Sequence, residues 1–304
     1  MRAKDFITQV SAFITGTIIS SAAWAQDGIQ GLESIGKPEP GGMNFQTPVT
    51  ELALDIQWLD GMINYIIGVI CLFVTLLLIY VLVRYNRKSN PDAARFTHHS
   101  VIEVAWTLIP ILILIVIGSF SLPILFKQLE IPESDLTIKV TGNQWYWTYE
   151  YPESAFEFDA RMLGSDYTIE GEMPHVLTKE VEELLERNGY ARDEFLLATN
   201  NAVVVPVNAV VRLQITGSDV IHSWAMPSFG VKLDAVPGRL AETWFAADRE
   251  GVYFGQCSEL CGKDHSYMPI TVKVVSQAVY DEWLKGAVAE FAGLPSPITV
   301  ATVD

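Results

Sequence analysis

Cysteine is scarce: three residues in 304, none of them in a Cys-x-x-Cys-His motif, so no haem is expected on this chain. Basic residues are few as well. There are 20 Lys and Arg against 36 Asp and Glu, a net charge of −16, and no nucleic-acid partner is expected of such a chain. Charge of either sign is missing from two stretches, residues 61–83 and 104–126, each 23 residues long. As helices they are about 35 Å long, enough to cross a hydrocarbon core of about 30 Å with some tilt. Pro110 and Pro123 lie in the second stretch, and membrane helices tolerate them. A pair of buried core helices would not need that length.

The N-terminus carries Arg2 and Lys4, then a broken apolar run from Phe6 to about Ile19, then Ala23-Trp24-Ala25. This is the pattern of a secretory signal peptide, residues 1–25, and the run is too short to span a bilayer. Residues 26–57, rich in Gly, Pro and polar groups, are expected to form an exposed N-terminal leader. The segment 84–103 between the two spans holds Arg84, Arg87, Lys88 and Arg95 against Asp92. Positive loops stay cytoplasmic. Residues 58–129 therefore read as a transmembrane helical hairpin with both flanks on the outer, periplasmic side, which agrees with the signal peptide. Cys71, alone in the first span, reads as packing. Glu103, at the inner edge of the second span, reads from position alone as an interfacial acid facing water.

From residue 130 the pattern changes to short β-prone runs at 136–141, 203–207, 210–216, 240–245, 252–255 and 270–275. Gly, Pro, Asn and Asp turns separate them, which suggests a sandwich or barrel. Residues 178–189 break this pattern. Thr178 is a candidate N-cap, Gly189 a stop, and Val181, Leu184 and Leu185 share one face, so a short acidic surface helix is predicted. A closing amphipathic helix is predicted over 277–291, with Val279, Trp283, Val288 and Phe291 turned inward. Residues 292–304 read as a flexible tail. The domain spans 130–291.

Within it, Cys257-Ser258-Glu259-Leu260-Cys261-Gly262-Lys263-Asp264-His265-Ser266-Tyr267-Met268 offers two thiols, an imidazole and a thioether in twelve positions. His222 in His222-Ser223-Trp224 supplies a further imidazole. Cys, His and Met together select copper over hard cations. One copper ion needs a single thiolate; two cysteines four apart could bridge two ions, with one His on each. A Cys257–Cys261 disulfide remains open in a compartment outside the cytoplasm. So does a two-Cys, two-His zinc site, although its spacing fits a zinc finger poorly.

The ordered run Cys-Ser-Glu-Leu-Cys-Gly-x-x-His-x-x-Met, preceded by His-Ser-Trp, resembles the dinuclear copper A centre of cytochrome c oxidase subunit II, most like the α-proteobacterial type. The resemblance covers the hairpin, Trp145-Tyr146-Trp147, the His222 segment, Asp234-Ala235-Val236-Pro237-Gly238-Arg239 and the copper loop. It is weaker over 160–195. It implies a two-helix transmembrane hairpin plus an all-β cupredoxin-like Greek-key barrel, in a bacterial inner membrane. It implies His222, Cys257, Cys261, His265, Met268 and the Glu259 carbonyl as copper ligands. The Glu259 carboxylate would hold a magnesium or manganese ion shared with subunit I, as suits a hard ion. Trp145 would receive electrons from cytochrome c, and Glu150 and Asp219 match docking acids. Glu157 and Asp159 extend the acidic field that would steer a basic cytochrome. Asn200 stands where some relatives carry an acid. Glu103 would sit at the mouth of a proton channel in subunit I. The function implied is electron transfer from cytochrome c to the haem of subunit I, where oxygen is reduced to water and protons are translocated. A quinol oxidase subunit would lack these ligands, and a copper carrier would need exposed, exchangeable ones.

Overall fold

The computed structural model describes residues 29, 31–92, 94–170 and 174–292. The expected signal peptide, 1–25, and the tail beyond Ala292 lie outside the described residues. The chain divides into two compact units, one formed by residues 51–130 and the other by the flanking segments.

The first unit is a pair of long helices, α1 (Glu51–Arg84) and α2 (Ser100–Leu129). Both are long and apolar enough to cross a membrane. Lys127, near the end of α2, forms ion pairs of 2.7 Å with both Glu51 and Asp55 at the start of α1, and Trp58 meets Phe120 edge to face at 5.4 Å. The helices are therefore antiparallel neighbours. Each extends past its uncharged stretch, and α1 begins at Glu51, so residues 51–57 are helix and not leader. The bilayer criterion measures only the uncharged part; helical hydrogen bonding continues into the flanking polar turns. At the start of α2, the His99 ring accepts from Ile102 N and the His99 N–H donates to the Glu103 carboxylate at 3.0 Å. Glu103 thus helps to cap the helix it belongs to.

The second unit is a β-sandwich of the cupredoxin-like type. One sheet contains β2 (Leu136–Asn143), β3 (Tyr146–Tyr151), β4 (Phe156–Ala160), β6 (Val211–Gly217) and β9 (Ala241–Phe245), in the order β4-β3-β2-β6-β9. The other is ordered β5-β11-β10-β7-β8, from β5 (Val203–Pro206), β7 (His222–Met226), β8 (Val231–Ala235), β10 (Gly251–Cys257) and β11 (Pro269–Val275). Strand periodicity assigns the faces. Ile138 and Val140 on β2, Trp147, Tyr149 and Tyr151 on β3, and Val211, Leu213 and Ile215 on β6 all point inward and are buried. β11 is buried along its whole length.

The leader is not simply an exposed segment. Ser34–Gly36 forms β1, which pairs parallel with β10 beside Val252 and Tyr253, and Ile29 and Val49 are buried in the core. Only glycine fits at 36, because an added Cβ would lie 2.8 Å from the Tyr253 Cα.

Two helices complete the unit. α3 (Lys179–Arg187) starts where expected, with Thr178 Oγ1 accepting from Val181 N. Val181 and Leu185 anchor it in a second, smaller cluster with Leu163, Tyr190, Ala198, Val252 and Phe254. α4 (Gln277–Phe291) buries Tyr280, Trp283 and Ala287. Val279 was expected inside and lies exposed. The buried positions step by three and four from Tyr280, and Val279, about 100° from Tyr280 but about 40° from Trp283, falls at the edge of that stripe.

Candidate metal centre

The ligand residues come from two places in one sheet. His222 opens β7 and Cys257 closes β10, and the strands pair antiparallel with Cys257 opposite Trp224. The loop that follows is closed at its ends, because Cys257 N donates to the Met268 carbonyl at 3.0 Å. Cys257, Cys261, Met268 and His222 are all buried; His265 is half-buried on a short 3-10 turn, His265–Tyr267.

The two sulfurs lie 3.8 Å apart and both cysteines are free. A disulfide needs about 2.05 Å, so the structural cross-link left open above is not formed. Each sulfur has its own imidazole. His222 Nδ1 is 4.0 Å from Cys257 Sγ, and His265 Nδ1 is 3.6 Å from Cys261 Sγ. His222, Cys257 and Cys261 place their donor atoms within 4.8 Å of one another, as a metal site requires. Glu259 is exposed; its carbonyl accepts from Cys257 Sγ at 3.4 Å, so its carbonyl faces the site while its carboxylate belongs to the surface.

Electrostatics separates the two thiols. Burial pushes both up. At Cys257, hydrogen bonding with His222, the Glu259 carbonyl, the Ser223 backbone and His265 outweighs burial and brings the thiol down to about 6. At Cys261, burial and the charge on Cys257 together push the thiol up to about 12. Without metal at neutral pH, the pair therefore holds one thiolate and one proton. Burial opposes the charged form of His222, but Cys257 and Asp219 raise it overall.

Asp219 is a fixed part of this frame. Its Oδ1 meets His222 Nε2 at 2.8 Å and accepts from Val220 N at 2.6 Å; its Oδ2 accepts from Gln144 N at 2.8 Å. These donors hold its carboxyl below the usual range in spite of burial. A carboxylate on Nε2 leaves Nδ1 to face the sulfurs, the outer-layer arrangement common around metal-bound His. Gly142 matters for the same ring: a Cβ there would stand 2.8 Å from His222 Cδ2.

The aromatic run divides by strand register. Trp147, Tyr149 and Tyr151 are core residues. Trp145 is at the tip of the β2–β3 hairpin, half-buried, and its Nε1 donates to the Cys261 carbonyl at 3.1 Å. Gln144 Nε2 donates to the same carbonyl at 3.0 Å. Gly262 lies against the indole, where a Cβ would be 3.0 Å from Trp145 Cζ2, and the Lys263 ammonium is 5.4 Å from the ring centre. Gln144 and Gly142 were not singled out from the sequence; only their nearness to Trp145 pointed to them.

Of the acids proposed for docking, Glu150, Glu157 and Asp159 lie on the outward face of β3 and β4, while Asp219 lies between β6 and β7 against His222. Glu150 pairs with Lys139 at 2.9 Å, and Asp159 with Arg161 at 3.0 Å and Thr148 at 2.7 Å. Glu157 stands opposite Glu150 across β3 and β4. Asn200 has a structural role, accepting from Arg161 N and Asn201 N.

The donor set fits copper: two buried sulfurs that a metal would deprotonate, two imidazole nitrogens aimed at them, and a buried thioether at the loop's end. Comparison with known proteins agrees in kind. Residues 136–275 match the family model for the cytochrome c oxidase subunit II periplasmic domain, and residues 38–124 match that for its transmembrane domain. Cytochrome c oxidase subunit 2 of Cereibacter sphaeroides is 55% identical over 287 residues, covering 94% of this chain and 93% of the relative. A probable cytochrome c oxidase subunit 2 of Rickettsia bellii is 43% identical over 249 residues, 82% of this chain and 85% of the relative. Among solved structures, the periplasmic domain of subunit II of cytochrome oxidase from Bradyrhizobium japonicum is 46% identical, covering 54% of this chain and 100% of that one, with a TM-score of 0.43.

Proposed function

This chain belongs to the cytochrome c oxidase subunit II family and is a subunit of a haem–copper oxidase; we propose that it carries electrons from cytochrome c to subunit I on a dinuclear copper A centre. The observation that carries this reading is the pair of free, buried sulfurs 3.8 Å apart, each with its own imidazole nitrogen. Two copper ions held there would take up and release one electron. His222, Cys257, Cys261, His265, Met268 and the Glu259 carbonyl are the proposed ligands. Burial of four of these side chains excludes water and fixes their positions before metal arrives. That argues against a carrier, whose ligands must exchange.

Trp145 is the proposed electron-receiving residue. Its hydrogen bond to the Cys261 carbonyl supports this, because it joins a half-exposed ring to a proposed ligand in one step. Glu150, Glu157, Asp159 and Asp219 would steer a basic cytochrome c, less strongly where Lys139, Arg161 and His222 balance them. The Glu259 carboxylate would hold magnesium or manganese against subunit I. Glu103 would stand at a proton channel. The signal peptide and the positive loop support a bacterial inner membrane, with the β-sandwich in the periplasm.

The test is copper content and low-temperature paramagnetic resonance of the purified oxidase, with turnover on cytochrome c. Two copper ions per chain with a seven-line hyperfine pattern are expected. One copper with four lines, or two coppers removed quickly by a chelator, would overturn the relay. In the same preparation Glu103→Gln should slow turnover and leave the hyperfine pattern intact; an unchanged rate removes Glu103 from the scheme.

A further inference from the structure

The two halves of the ligand loop are held unequally. The first half is tied to the sheets: Ser258 N donates to Ser223 O, and the Cys261 carbonyl accepts from both Gln144 and Trp145. The second half, 262–267, is held largely by itself and its own neighbours. His265 N donates to Gly262 O, Tyr267 N to Asp264 O, and the Ser266 carbonyl accepts from Gln256 Nε2 at 2.6 Å. Among the described residues, Trp145 lies against the start of this half, at Gly262 and Lys263, and a second contact from distant sequence reaches its far end. The His175 ring lies flat on the Tyr267 ring, with centroids 3.6 Å apart and planes 1° from parallel.

His175 belongs to the segment between β4 and β5. Its backbone is left-handed, with φ of 63°, a conformation that costs a side-chain-bearing residue free energy and persists where the surroundings impose it. Here the surroundings are visible. His175 N donates to the Gly164 carbonyl at 3.0 Å, and three residues later Thr178 caps α3, whose Val181 and Leu185 are fully buried. The chain is thus anchored at His175 itself and just after it, and the ring lies on the turn.

We propose that His175 is a positioning residue for the metal centre: by stacking on Tyr267 it braces the turn that carries His265 and leads into Met268. It acts through packing, so the ring and not its charge is the working part. The proposal rests on the copper reading for its consequence but not for its mechanical half. Held still, the turn keeps His265 Nδ1 beside Cys261 Sγ whether or not an electron is present, and it resists the opening through which a metal would leave.

The test compares His175→Ala and His175→Phe with the unaltered full-length chain in detergent. Amide hydrogen exchange is measured metal-free, and copper loss to a chelator and the hyperfine pattern are measured after loading. For His175→Ala, amides in 262–267 should exchange about two- to tenfold faster, with those of β10 unchanged. Copper loss should accelerate by a similar factor and the hyperfine splitting should change. His175→Phe should restore all three. Unchanged exchange in the turn overturns the brace. So does faster exchange that extends into β10, which is general destabilisation, and so does failure of Phe to rescue. If no copper binds, the functional reading falls, and the metal-free exchange still decides the mechanical claim.

Discussion

His222 and Cys257 sit on paired strands with Asp219 behind the imidazole, whereas Cys261 and His265 sit on a loop and a single 3-10 turn. The sulfur–nitrogen pairs have the same chemistry, at 4.0 and 3.6 Å. Their supports differ, and so do the forces on the thiols: hydrogen bonds pull the strand-borne thiol down, while burial and the charge on its neighbour push the loop-borne thiol up. The centre thus joins one half held by paired strands to one half held by a loop. The strand half supplies position; the loop half supplies the last proton to leave.

Breaking either sulfur should break the comparison most severely. Cys257→Ser and Cys261→Ser should each lower turnover at least about 100-fold. They should differ in what remains: Cys261→Ser retains His222 and Cys257 on their strands and should still bind one copper, while Cys257→Ser should bind little. Equal copper retention in the two variants would mean that strand support does not matter. A smaller effect is expected at Gly142. Gly142→Ala forces a methyl against the His222 ring and should cost about 1–3 kcal/mol, read as a lower unfolding temperature. The loss should be confined to the strand half, with the hydrogen exchange of 262–267 unchanged.

The mildest test is protonic. Near pH 8 Cys257, at about 6, has already lost its proton, and Cys261, at about 12, has not. Copper uptake should therefore release about one thiol proton there and approach two below pH 6. Copper affinity should fall as pH falls, more steeply below 6. Release of two protons at pH 8, measured with a weakly buffered indicator, would mean the thiols are not split.

The sequence made some elements plain and hid others, for physical reasons. The spans were legible because a bilayer demands an uncharged run, and α3 because Thr178, Val181, Leu185 and Gly189 are local signals. β7 is absent from the β-prone runs: four of its five residues are buried, so no alternation marks it. β1, three residues long, has no period to detect and exists only through β10. In the site, the cysteines, His265 and Met268 were legible because one loop holds them in order. The Gly142–His222 contact and the His175–Tyr267 stack join distant segments, and nothing local announces them.

β1 has one more implication, for the order in which the chain can assemble. Ser34–Gly36 leaves the ribosome before either long helix, yet its partner, Val252–Tyr253, is more than 200 residues away. Until synthesis is almost finished, this strand has no edge to join. It comes early in the chain and is among the last pieces to dock, so it reports completion: protection of its amides should appear only after β10 is in place.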